Sequence, residues 1–141
     1  MYRGYKMMKA VPNFVTSHPF TAEMDLSGII VDANDSEEFK TGDHVFGFIS
    51  PELQNNTRQG ALMQYTCIPA SCLVPLPSST TFTQAAGFAA MGMTAIQALF
   101  DIGELESGQS VFVNGGSSGV GAFAIQIAKA KGCRVVASAS G

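Results

Sequence analysis

Ser110-Val111-Phe112-Val113-Asn114-Gly115-Gly116-Ser117-Ser118-Gly119-Val120-Gly121 is the stretch that decides how this chain is read. A short run suited to a β-strand passes into glycine and serine, and an apolar helical pattern follows at once. Val120, Phe123, Ala124, Ile127 and Ala128 recur at helical spacing to about Lys131. Gln126, Lys129 and Lys131 form a single polar edge, so this helix is expected to be largely buried against a sheet. Gly132 is the expected stop, and Arg134-Val135-Val136-Ala137-Ser138-Ala139 reads as the next strand. Strand, glycine loop, helix and strand make one β-α-β unit, the context in which a glycine pattern carries meaning.

The chemistry of such a loop is anion binding. A pyrophosphate needs backbone N–H groups aimed at it from a helix N-terminus, where the helix dipole also favours negative charge. The chain must turn sharply and approach the ligand closely, which bulky side chains prevent. In the G-x-G-x-x-G register the three positions are Gly116, Ser118 and Gly121. Serine at the middle position still permits close approach and is expected to add a hydroxyl donor. The candidate cofactor-binding residues are therefore Gly116, Ser117, Ser118, Gly119, Val120 and Gly121. The competing reading is a glycine-rich β-to-α turn that holds no ligand. An Asp or Glu roughly 20 residues beyond the glycines binds the ribose hydroxyls of NAD. Counting on from Gly121 reaches Ser140, and Ser138 to Gly141 contain no carboxylate. A carboxylate there would repel a 2′-phosphate, so its absence favours NADPH and adds Ser140 to the candidates.

Upstream the pattern differs. Thr81-Phe82-Thr83-Gln84 reads as a capping box opening a helix over about 82–90. Gly92 is expected to interrupt it, with a second helix over about 93–102 closed by Gly103. Residues 1 to about 80 hold strand-like runs at Leu26–Val31, Val45–Ile49 and Ala61–Ile68, punctuated by Gly, Pro, Asn and Asp. Pro51–Gln59 reads as a polar loop.

Bulk properties narrow the classes. The chain has 141 residues, 46% hydrophobic and 13% charged, with a net charge of −3. That is globular, with no basic footprint for nucleic acid. The longest apolar stretch, Ala85–Phe100, is broken by Thr94 and Gln97 and falls short of a membrane span. Met1–Pro12 does not read as a secretory signal. Cys67, Cys72 and Cys133 are odd in number and lack C-x-x-C spacing, which fits a reducing, cytoplasmic setting. Cys67 and Cys133 are expected to be small buried apolar side chains.

Several segments together resemble the medium-chain dehydrogenase/reductase superfamily. They are Asp25-Leu26-Ser27-Gly28, Phe39-Lys40-Thr41-Gly42-Asp43-His44-Val45-Phe46-Gly47, Gly60-Ala61-Leu62-Met63-Gln64-Tyr65, Ala85-Ala86 with Gly92–Leu99, and Leu105–Val113 leading into the glycine loop. They occur in order from about residue 19 to 140, and the similar branch is that of the zinc-independent quinone oxidoreductases and enoyl reductases. Tyr5-Lys6-Met7 is similar to the start of that branch in fungal-type sequences. Gly115-x-x-x-Gly119-x-Gly121 also matches the loop of short-chain dehydrogenases, but that family begins with its loop and would leave about 110 residues upstream unexplained.

The resemblance implies a β-rich, GroES-like partial barrel over 1–80, hinge helices over 81–104, and the start of a Rossmann (doubly wound) nucleotide-binding domain over 105–141, with the chain truncated at both ends. It implies an NADP(H)-dependent oxidoreductase transferring hydride to a quinone or an α,β-unsaturated carbonyl. The alternatives are a truncated, non-catalytic fragment or the reductase module of a multidomain synthase. Thr94 is placed near the nicotinamide by the resemblance; read on its own it is a helix-start threonine. No proton donor stands out, so the catalytic residue is unassigned. Metal ligands are expected to be none, with His18 and His44 read as surface histidines and Asp43 as a turn carboxylate bonding nearby N–H groups. The expected partner is a small-molecule substrate, without nucleic acid or membrane, and a homodimer is one candidate state of a full-length form.

Overall fold

The computed structural model describes residues 21–140. Tyr5-Lys6-Met7, the Met1–Pro12 stretch, His18 and Gly141 lie outside the described residues. The chain divides into two compact units, Met1–Ala89 and Ala90–Gly141.

In the first unit β1 (Asp25–Ile29) pairs antiparallel with β2 (His44–Phe48), and β2 pairs antiparallel with β3 (Leu73–Pro75). Val45, Gly47 and Ile49 alternate inward and are buried, the period-2 pattern of a strand with one covered face. A side chain at Gly47 would overlap the Cys72 carbonyl, so glycine is what lets the chain leading into β3 approach β2. Between β1 and β2 the chain turns at Gly42, whose φ is +96°, and the Asp43 carboxylate accepts the Lys40 N–H at 3.0 Å, as its turn role requires.

Two expectations fail in this unit. Ala61–Ile68 is not a strand. Ala61 and Leu62 donate to the carbonyls of Glu23 and Ala22, while the Gln59 side chain takes the Cys67 N–H at 2.8 Å, so the segment closes as a loop. Cys67 is consequently exposed rather than buried. Pro51–Gln59 is not merely a polar loop either, because it contains α1 (Pro51–Thr57). Ser50 caps α1 by accepting the Leu53 N–H, Pro51 stands in its first turn with Glu52, and Arg58 ends it in the left-handed region. Gln54 on α1 is buried, and its amide donates to the carbonyls of Thr21 at 2.8 Å and Glu23 at 3.2 Å.

The capping box forms as read. Thr81 accepts the Gln84 N–H and the Gln84 side chain accepts the Thr81 N–H, opening the short α2 (Phe82–Ala85). Ser27 ties β1 to it by donating to the Phe82 carbonyl at 2.6 Å. Exposed His44 lays its ring 4.9 Å from that of Phe82.

The interruption expected at Gly92 is absent. α3 (Ala89–Ile96) runs through it and continues as a π-helical turn, Gln97–Ile102; the break lies just before Ala89 instead. Local helical hydrogen bonding outweighs the propensity cost of one glycine. Gly103 closes the turn from the right-handed region, donating to the Ala98 carbonyl at 3.1 Å, and the left-handed residue is Glu104.

In the second unit β4 (Ser110–Val113) and β5 (Arg134–Ala137) pair in parallel, joined by α4 (Gly119–Ala130). Gly132, φ +86°, stops α4, with Cys133 donating back to the Ala128 carbonyl and Gly132 to that of Lys129. The core is Ala95, Leu99, Ala124, Ala128 and Cys133, flanked by half-buried Val111, Val113, Phe123, Ile127 and Val135. Cys133 is buried as expected, its thiol donating to the Glu106 carbonyl. α4 is less covered than expected: Gly121, Ala124 and Ala128 are its buried residues, because two strands cover only one stripe of a helix. On the other sheet face Phe112 and Val136, cross-strand neighbours, are each 64% exposed. No helix among the described residues is long and apolar enough to cross a membrane.

Candidate nucleotide-binding loop

The loop between β4 and α4 is built on backbone contacts that only glycine permits. Gly115 has φ +77°, where a side chain would be strained. At Gly116 a Cβ would lie 2.9 Å from both the Ala137 Cβ and the Ile125 Cδ1, so glycine lets the turn settle against β5 and α4. At Gly121 a Cβ would overlap the Gly115 carbonyl oxygen and stand 3.0 Å from the Gly116 Cα. Gly116 and Gly121 are thus required by close packing of strand, turn and helix, as their positions in the glycine pattern suggest.

Ser118 caps α4. Its hydroxyl accepts the Gly121 N–H at 3.1 Å and donates to the Gly115 carbonyl at 2.8 Å. The expectation that this hydroxyl would serve a ligand is corrected here, because its proton is already committed inside the loop. The Ser118 N–H goes to the Gly115 carbonyl, and that of Gly116 to the Ser138 carbonyl at 2.7 Å. The N–H groups of Ser117, Gly119 and Val120, and the Ser117 hydroxyl, have no acceptor among the described residues. Ser117, Ser118 and Gly119 are exposed, while Val120 is half-buried against the core. An open helix N-terminus with unpaired N–H groups above a tightly packed turn suits a phosphate. The residues present therefore fit the pyrophosphate of a dinucleotide.

The other sequence candidates are placed differently. Ser140 is exposed beyond the end of β5. Thr94 is exposed in the body of α3, not at its start, and its hydroxyl donates to the Ala90 carbonyl at 2.7 Å. Sequence reasoning missed Asn114 and Ser138, which the fold brings together across 24 positions: the Ser138 hydroxyl donates to the Asn114 Oδ1 at 2.7 Å and accepts the Gly115 N–H at 3.1 Å. The paired glycines at 115 and 116 signalled an unusual turn, but nothing local named its partner.

In the first unit a cavity of about 630 Å³ lies between β1 and the 63–68 loop, lined chiefly by apolar residues such as Leu26, Phe39, Met63 and Leu73. Among the described residues no group of three or more His, Cys, Asp or Glu could hold a metal ion.

No family model matches the chain. It is 35% identical over 133 residues to the trans-enoyl reductase pgmF of Aspergillus terreus, covering 90% of this chain and 36% of that protein. It is 34% identical over 122 residues to the quinone oxidoreductase of Mus musculus, covering 86% of this chain and 35% of that protein. Its fold matches that of an alcohol dehydrogenase superfamily protein from Novosphingobium aromaticivorans with a TM-score of 0.82 at 35% identity, covering 89% of this chain and 38% of the other. The proteins matched are thus oxidoreductases by name, with a member of the alcohol dehydrogenase superfamily among the solved structures. Within that set, the chain is similar to quinone oxidoreductases and enoyl reductases of the medium-chain dehydrogenase/reductase superfamily. The chain spans about a third of the length of the curated relatives it matches.

Proposed function

We propose that Gly116, Ser117, Ser118, Gly119, Val120 and Gly121 cradle the pyrophosphate of NADPH in an oxidoreductase, with Ser140 on the adenosine side and Thr94 on the nicotinamide side. In this reading residues 105–141 begin a doubly wound nucleotide-binding domain, 81–104 are hinge helices, and 1–80 form a GroES-like partial barrel that serves the substrate. Bound NADPH supplies a hydride, here for a quinone or for the β-carbon of an α,β-unsaturated carbonyl; the similar proteins named quinone oxidoreductase and trans-enoyl reductase support these two acceptor classes.

This chain's own residues bind and orient. Ser117, Gly119 and Val120 offer N–H groups that no acceptor among the described residues competes for, and this observation carries the reading. The α4 dipole adds partial positive charge at the same place. Ser118 holds the turn closed from within, so the cradle costs little ordering when the anion arrives. The absence of a carboxylate over Ser138–Ser140 supports NADPH over NADH, since none would repel a 2′-phosphate.

Amide NMR of the labelled chain during parallel titrations with NADPH and NADH tests this. The amides of Ser117, Gly119 and Val120 are expected to shift, at lower concentration with NADPH. Absence of any shift there refutes the cradle. Equal or tighter binding of NADH refutes the choice of NADPH while leaving the cradle standing.

A further inference from the structure

We propose that Ser138, acting with Asn114, is a positioning residue that sets the glycine loop in its nucleotide-receiving shape; this rests on reading Gly116–Gly121 as a phosphate cradle. Ser138 stands just past β5, and every polar group it owns is spent on the end of β4 and the loop. Its N–H donates to the Val113 carbonyl at 3.1 Å, and its carbonyl accepts the Gly116 N–H at 2.7 Å. Its hydroxyl donates to the Asn114 Oδ1 at 2.7 Å and accepts the Gly115 N–H at 3.1 Å. One residue therefore grips four consecutive positions, 113–116, where β4 becomes the loop.

The backbone half of that grip is open to any residue, but the side-chain half needs a short group that donates and accepts at once. Serine and threonine do this; alanine and valine do not. The two halves meet at Gly115, which sits at φ +77°. Ser138 takes its N–H from the β5 side, and Ser118 donates to its carbonyl from the α4 side. Two hydroxyls thus hold one glycine from opposite directions, and neither is left for the ligand. What they leave for the ligand is backbone: the unpaired N–H groups of Ser117, Gly119 and Val120.

Removing the Ser138 hydroxyl strands the Gly115 N–H and the Asn114 oxygen. The loop then samples other shapes, and apparent affinity falls by the fraction of chains in the competent one. For a net hydrogen bond of ordinary strength that is about a three- to tenfold loss.

The test uses the full chain, with NADPH titrated into wild type, Ser138→Ala, Ser138→Thr and Asn114→Ala. Affinity is read from the amides of Ser117, Gly119 and Val120, exchange from the Gly115 amide, and folding from the thermal midpoint. Ser138→Ala should bind about three- to tenfold more weakly with faster Gly115 exchange, and Ser138→Thr should restore both. Asn114 is exposed, so Asn114→Ala keeps the fold and should weaken binding in the same direction. If wild type binds and both Ser138→Ala and Asn114→Ala match it, the positioning role is overturned and the cradle stands. A lowered midpoint with unchanged affinity overturns it equally, because that is the signature of a purely structural serine. If wild type shifts none of the three amides, the cradle reading falls and this proposal with it.

Discussion

Gly121→Ala probes the joint between loop and helix directly. A Cβ at this position falls on the Gly115 carbonyl oxygen, 3.0 Å from the Gly115 carbonyl carbon and 3.0 Å from the Gly116 Cα. All three are backbone atoms and none can rotate away. Gly115 and Gly116 are also anchored on their far side through Ser138. Relief requires the turn to lift from α4 by roughly 1 Å, which also removes loop contacts at their optimal distance. Both Ser118 hydroxyl bonds, to Gly115 and to Gly121, weaken with it. Overpacking costs about 1–3 kcal/mol and a lost hydrogen bond about 1 kcal/mol, so a destabilisation of about 2–4 kcal/mol is expected. Gly119→Ala is the matched control two residues earlier. Its Cβ meets only Met91, at 3.2 Å from Sδ and 3.4 Å from Cγ, the flexible end of an unbranched side chain, so its cost should stay below about 1 kcal/mol. The assay is urea unfolding followed by far-UV circular dichroism, since the chain has no tryptophan to report by fluorescence. Equal losses for the two substitutions, or no loss at Gly121, would refute the claim that helix–loop contact is what demands glycine there.

Gly92→Ala should stabilise the chain by about 0.5–1 kcal/mol in the same assay, because Gly92 lies inside α3 and its added Cβ would meet the Phe123 ring at an ordinary 3.8 Å; a loss of stability would show that α3 needs the glycine after all. Gln54→Leu should cost about 1–3 kcal/mol in thermal unfolding by taking the Gln54 donor from the Thr21 carbonyl and leaving the Glu23 carbonyl with the Ala61 N–H alone, and a neutral result would mean the Thr21 carbonyl finds another partner. Gly119→Asp should keep the thermal midpoint, since a carboxylate is favourable in the first turn of a helix. The same substitution should abolish the NADPH-dependent amide shifts by placing negative charge beside the free N–H groups of Gly119 and Val120, and undiminished binding would move the phosphate away from this turn.

Much of the second unit was legible before any coordinates. The strand over 110–113, the glycine turn, the helix stopped at Gly132 and the strand from Arg134 are local features, written in propensity, periodicity and chain-terminating residues. The Thr81–Gln84 capping box was legible for the same reason, since its partners are three residues apart. Helix α1 was equally open to reading: Ser50, Pro51 and Glu52 make a helix-start signature, obscured by the polar residues that follow. The strand expected over 61–68 had the right residue types, but its fate depended on Glu23, Ala22 and Gln59, which take or supply its hydrogen bonds from elsewhere.

The candidate site divides along the same line. By itself the sequence determined that glycines stand where a strand turns into a helix, and that no carboxylate stands over 138–140, because residue identity and short-range spacing contain that information. Only the tertiary structure decided which groups of the loop remain free. Ser118 reads as a ligand donor in the sequence and is an internal cap in the fold; Ser138 reads as a strand residue and is the anchor of Gly115. A hydroxyl or N–H is available to a ligand only when no protein acceptor reaches it. For the loop's anchoring bonds that competition is settled by residues 23 and 24 positions apart, brought together by the parallel pairing of β4 with β5.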